Sequence, residues 1–101
     1  MKKITICGSI KYYKTMMQVA EELELSGNCV LTPIYNESNK DKISYTKEEI
    51  DMLSKAHKEK IKISDAIYVI DVDNYIGEST RSEIDYATSL NKEIIYYSNN
   101  I

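Results

Sequence analysis

The sequence predicts an α/β fold: a parallel four-stranded sheet in the order βαβαβαβ, with helices on both faces. Three observations carry that prediction. Short β-branched runs alternate with segments of helical period along the whole chain. The stretch AIYVID at 66–71 is apolar nearly throughout, as in a central parallel strand covered on both sides. Glycine, proline and hydroxyl residues punctuate the boundaries between segments. Such alternation implies right-handed crossovers, and a length of 101 residues suits one domain over 1–101.

In order, residues 3–7, KITIC, alternate as a first strand. Gly8-Ser9 then leads into a helix. Tyr12, Met16, Val19, Ala20 and Leu23 recur there at helical spacing, and Gly27 stops it. Residues 29–32, CVLT, make a second strand closed by Pro33. Residues 35–45 are polar and aperiodic, the longest loop. Thr46-Lys47-Glu48-Glu49 has the capping-box pattern, and the helix after it aligns Ile50, Leu53, His57 and Ile61 on one stripe. After the third strand comes NYIGESTRSEIDY, then a helix from about Arg81 with Ile84, Ala87 and Leu90 inward, and a last strand, EIIYY.

The composition excludes several functions. Apolar residues make up 43% of the chain, enough for a core, but no run reaches the length of a membrane span. The start, MKKITICGS, is too short and too quickly broken for a signal peptide, so a cytosolic location is expected. The net charge is −3 with signs interleaved, which argues against duplex nucleic acid. Cys7 and Cys29 read as buried free thiols rather than a disulfide framework. No metal site is expected, because no spaced set of ligands is visible, and no cofactor is called for.

Ligands of open parallel sheets bind beyond the strand carboxyl ends, where strand order reverses. Two loops qualify: Gly8-Ser9-Ile10-Lys11, with Tyr12 beside it, and Gly77-Glu78-Ser79-Thr80-Arg81. Each places glycine and hydroxyls before a helix N-terminus, a natural anion site to which Lys11 and Arg81 add charge. Neither matches a dinucleotide or P-loop fingerprint. The bland alternative makes Ser9 and Thr80 ordinary N-caps, worth about 1 kcal/mol each. Glu83 has two readings as well. With Thr80 as N-cap it completes a capping box; otherwise it is a carboxylate at the crevice, able to act as a nucleophile. His57, the lone histidine, sits on an apolar stripe with no partner evident from spacing. Asp71 and Asp73 either face the crevice or are solvated turn residues. Tyr12 and Tyr13 are placed to stack on a base, whereas Tyr68, Tyr96 and Tyr97 read as core or interface.

CGSIK, AHKEKIKISDAIYVI, the Gly-Ser/Thr loop and SEIDYATSLNKEIIYY, in that order, resemble the nucleoside 2-deoxyribosyltransferase family and its 2'-deoxynucleoside 5'-phosphate N-hydrolase branch. The resemblance spans almost the whole chain. It implies a small flavodoxin-like (Rossmann-like) sandwich, usually of five strands where four are counted here, and a homodimer or larger assembly. It also implies a nucleoside or nucleotide ligand, with Glu83 as the nucleophile on the anomeric carbon and Gly8-Ser9-Ile10-Lys11 holding a phosphate. Two positions depart. Thr5 replaces a tyrosine of the first strand, and His57 aligns with an aspartate that orients and protonates in the family. Histidine keeps acid–base capacity. Two functions therefore follow: cleavage of an N-glycosidic bond, with His57 as acid or orienter, or turnover-free binding of a nucleotide-derived signal, as a sensor or a phage-type sponge.

Overall fold

The computed structural model describes residues 1–34 and 45–100, so the loop expected at 35–45 lies outside the described residues save for Tyr45. The chain alternates strand and helix as its periodicity predicts. The strands are β1 (Lys3–Gly8), β2 (Cys29–Leu31), β3 (Ala66–Ile70) and β4 (Glu93–Tyr96), and the helices α1 (Tyr13–Leu25), α2 (Lys47–Ile63) and α3 (Glu78–Ser89). A 3-10 turn, Ile10–Tyr12, precedes α1. All strand pairs are parallel, in the spatial order β2-β1-β3-β4. From β1 the chain first builds outward to β2, then returns to the opposite edge of β1 for β3. The order therefore reverses between β1 and β3, and their carboxyl ends open a crevice there.

Strand alternation divides the core in two. Ile4 and Ile6 of β1 with Ala66, Tyr68 and Ile70 of β3 face α1, where Met16 and Val19 pack on them. Cys7, Ile67 and Val69 point the other way, against Ile61 of α2 and Ile84 and Ala87 of α3. Because the side-chain period of a strand is two, the residue just before Gly8 is committed to the α2/α3 face. All five residues of β3 are buried, as its continuous apolar character demands.

The helix ends follow from local chemistry. Glu49 N–H donates to Thr46 Oγ1 at 3.1 Å and Thr46 N–H to Glu49 Oε1 at 2.9 Å, so the expected capping box opens α2. Gly27, with φ +97°, closes α1: its N–H reaches Glu24 O at 3.0 Å and Asn28 N–H reaches Leu23 O at 3.1 Å, a Schellman ending.

Three expectations are corrected, the first being Cys29, which is a half-buried rather than a buried thiol because it lies on the edge strand β2. Leu90 is not inward but is the C-cap of α3, 37% exposed, because the helix ends one residue before it. And α3 begins at Glu78 rather than near Arg81, with Gly77 in extended conformation at its N-cap.

Candidate functional site

The two loops meet at the switch point. Gly8, Ser9, Ile10, Gly77, Ser79 and Thr80, together with Tyr75 and Glu78, line one crevice of about 350 Å³. Gly8 is required by close approach: a Cβ there would lie 3.0 Å from Ile70 Cβ and 3.1 Å from Met16 Cε. Its lack of a side chain keeps β1 tight against β3 and α1 while the loop turns into the crevice.

Neither hydroxyl is the cap that local pattern allows. Ser9 precedes the 3-10 turn in extended conformation without a side-chain capping bond. Thr80 is the third residue of α3 and buried, so Thr80-Arg81-Ser82-Glu83 does not form a capping box. The first intrahelical bond of α3 is Arg81 N–H to Gly77 O at 2.9 Å. The N–H groups of Glu78, Ser79 and Thr80 thus belong to the first turn, whose donors have no carbonyl within the helix. They stand at the positive end of the helix dipole, beside the crevice.

The cations lie further out. Lys11 is exposed, with Nζ 3.9 Å from the centre of the Tyr75 ring and 5.3 Å from that of Tyr12, and the two rings meet edge-on at 6.4 Å. Through Tyr75 its charge borders the crevice without lining it. Arg81 is exposed on α3 and does not line it either. Glu78 brings a carboxylate to the mouth, so the charge there is mixed. Tyr75 and Glu78 lie in the stretch that the sequence marks, but their residue types did not single them out; both flank Gly77 within two residues, and that proximity was the available signal.

Glu83 lies three residues beyond Thr80 on the same face of α3. Its Oε1 is 3.8 Å from His57 Nε2, and its side chain keeps 19% of its exposure. His57 is buried, with Nε2 also 3.5 Å from Cys7 Sγ. Burial foremost, then the Glu83 charge and a hydrogen bond to Glu83, push the Cys7 thiol well above its ordinary range. Cys7 is therefore a neutral thiol sealed from solvent, unsuited to nucleophilic work. The partner that spacing could not supply for His57 is thus Glu83, with Cys7 beneath both.

The other candidates separate from this group. Thr5 is fully buried. Its hydroxyl, the Ser64 hydroxyl and the Lys60 carbonyl form a closed triangle of contacts at 2.6, 2.7 and 3.0 Å, fastening β1 to the end of α2. Asp71 accepts from Ser98 N–H at 2.8 Å and from Ser98 Oγ at 2.6 Å, so it anchors the segment after β4. It lines a different hollow with Asp73 and Tyr97. No helix of the described residues is long and apolar enough to cross a membrane.

Neither a protein-family model nor a curated protein matches the sequence. A solved 2-deoxyribosyltransferase from the psychrotolerant bacterium Bacillus psychrosaccharolyticus does match in structure, with a TM-score of 0.72 over 93% of this chain and 70% of that one, at 21% sequence identity. The chain therefore has a 2-deoxyribosyltransferase-like fold, as its β/α order and motif order predict.

Proposed function

We propose that the chain binds a nucleoside or nucleotide in the crevice between Gly8–Ile10 and Gly77–Thr80, and cleaves its N-glycosidic bond with Glu83. The observation that carries this is the position of Glu83. It stands three residues after the crevice-lining Thr80 on α3, still partly exposed, with its carboxylate 3.8 Å from the imidazole of a buried histidine. The likeness in fold to a 2-deoxyribosyltransferase supports the choice of ligand.

In this reading a phosphate or sugar hydroxyl meets the first-turn N–H groups of α3 and the Ser9 hydroxyl, where backbone donors favour an anion. Tyr75 offers an aromatic wall for the base or sugar. One Glu83 oxygen bonds to the anomeric carbon as the carbon–nitrogen bond breaks. The base leaves with the bonding pair and takes a proton from solvent, and water or an acceptor base then displaces the carboxylate, as in a retaining glycosidase. His57 acts as a positioning residue, since its burial keeps it from the leaving group. Assembly into dimers, which the sequence resemblance implies, belongs to the same proposal, and sedimentation of the purified chain tests it.

The test is incubation with a panel of deoxynucleosides and their monophosphates, read as free base. Wild type is expected to exceed Glu83→Gln by at least about 10³-fold, since loss of a nucleophile can cost up to about 10⁶-fold. Wild type releasing no more base than Glu83→Gln overturns the reading.

A second reading, binding without turnover, is favoured by the inward lean of Glu83 towards a buried pair. It predicts intact ligand recovered after denaturing the complex, and recovery of free base would sink it.

A further inference from the structure

Cys7, His57 and Glu83 come from β1, α2 and α3, and lie far apart in sequence. Folding nevertheless brings one donor atom of each within 4.8 Å of the others, and among the described residues they are the group of metal-ligating side chains so placed. We propose that these three residues form a binding site for a thiophilic divalent cation, zinc foremost, with the fourth coordination position open on the partly exposed side where Glu83 lies.

Two of the three donor separations are close to those around a bound ion. Zinc takes sulfur at about 2.3 Å and imidazole nitrogen or carboxylate oxygen at about 2.0–2.2 Å. A tetrahedron built on those lengths has a sulfur–nitrogen edge of about 3.6 Å and a nitrogen–oxygen edge of about 3.4 Å. The corresponding separations here are 3.5 Å from Cys7 Sγ to His57 Nε2 and 3.8 Å from His57 Nε2 to Glu83 Oε1. Both are measured to the same ring nitrogen, Nε2, so one atom of the imidazole is near both of the other donors. All three donors lie within 4.8 Å of one another, and closing the set draws in the Glu83 carboxylate, the partly exposed member through which an ion would enter.

The donor set also selects the ion. Thiolate, imidazole and carboxylate together suit zinc or cobalt, whereas magnesium and calcium prefer oxygen alone. On binding, the Cys7 thiol proton passes to solvent and a metal–sulfur bond replaces the sulfur–hydrogen bond, with no change in oxidation state. Three protein ligands and an open position are the pattern of a reactive zinc centre. The site shares Glu83 with the proposed glycosidic chemistry, and here the inference rests on that reading: a carboxylate that holds a cation cannot attack a sugar, so the metal would silence it.

Titration of the reduced, metal-free protein with cobalt(II) chloride tests the site without any substrate. Wild type and Cys29→Ser are expected to develop the cobalt–thiolate charge-transfer absorption, saturating at one equivalent and reversed by zinc chloride. Cys7→Ala should lose the absorption. Glu83→Gln, altered at a partly exposed side chain, keeps the fold and should bind at least about 10-fold more weakly, since even outer-shell changes cost 10–100-fold. Magnesium chloride should neither produce nor compete with the signal. No thiolate absorption in folded wild type, the same absorption in Cys7→Ala, or unchanged affinity in Glu83→Gln overturns the proposal. Because the readout is spectroscopic, it stands or falls separately from base release. Zinc inhibition of base release, relieved by a chelator, tests only the silencing.

Discussion

The two faces of the sheet are built on opposite principles. On the α1 face, Ile4, Ile6, Met16, Val19, Ala66 and Ile70 pack with neither nitrogen nor oxygen in their side chains, and Tyr68 brings the one hydroxyl among the buried members of the cluster. On the α2/α3 face the apolar set of Ile61, Ile67, Val69, Ile84 and Ala87 is interrupted by buried Thr5, Cys7, His57 and Ser64. A buried polar group must find a partner or it costs stability. The second face meets that demand with the Thr5–Ser64–Lys60 triangle and with the Cys7–His57–Glu83 group. Both faces bury apolar clusters, but only the second gives up part of its surface to polar side chains, and these bring Glu83 beside His57.

If that contrast is right, truncation should be most costly on the apolar face. Ile6→Ala is expected to destabilise by about 2–5 kcal/mol, the range for emptying a packed aliphatic site, while leaving base release per folded molecule unchanged. Urea unfolding and the base-release assay together check it, and a loss of activity without a loss of stability would break the comparison. Gly8→Ala strikes the junction of the two faces. Its new methyl group meets Ile70 and Met16, and overpacking of this kind costs about 1–3 kcal/mol. A wild-type melting temperature would show that both Ile70 and Met16 can give way.

On the polar face, Thr5→Val removes a hydroxyl at nearly constant volume. The Ser64 hydroxyl still reaches the Lys60 carbonyl at 2.7 Å, so the expected cost is only about 1 kcal/mol, that of one ordinary hydrogen bond. A loss several times larger would mean that the triangle acts as a unit.

The smallest effect is one of pH. Burial, then the charges of Glu22, Tyr97 and Asp71, raise the Tyr68 hydroxyl above its usual value of 10.0. Below that value both folded and unfolded chains keep the proton and stability does not depend on this group. Above it the unfolded chain loses the proton first, so stability falls as pH rises. Tyr68→Phe should flatten that alkaline fall in a series of urea midpoints. Cys7 acts in the same direction from its own ordinary value of 9.0, so the fall should begin before Tyr68 contributes.

Much of this architecture is legible in the residues themselves. The β/α alternation, the buried run of β3, the capping box at Thr46 and the stop at Gly27 are local patterns, and each is present where its spacing places it. The two crevice loops are also legible, because glycine and hydroxyls before a helix mark a strand end. The limits show best in a pattern that occurs twice. Thr46-Lys47-Glu48-Glu49 and Thr80-Arg81-Ser82-Glu83 share one spelling, yet only the first is a capping box. In the second, Gly77 takes the N-cap and winds three more residues into α3, which buries Thr80 and carries Glu83 round to His57.

By itself, then, the sequence determined which segments are strands and helices, their parallel order and the end of the sheet where a ligand would lie. Periodicity and capping act over a few residues, and each segment carries its own. Only the tertiary structure decided that Glu83 joins His57 and Cys7, three residues on three elements with no shared spacing. Their meeting depends on how α2 and α3 seat on one face of the sheet, and that is settled by packing between distant segments.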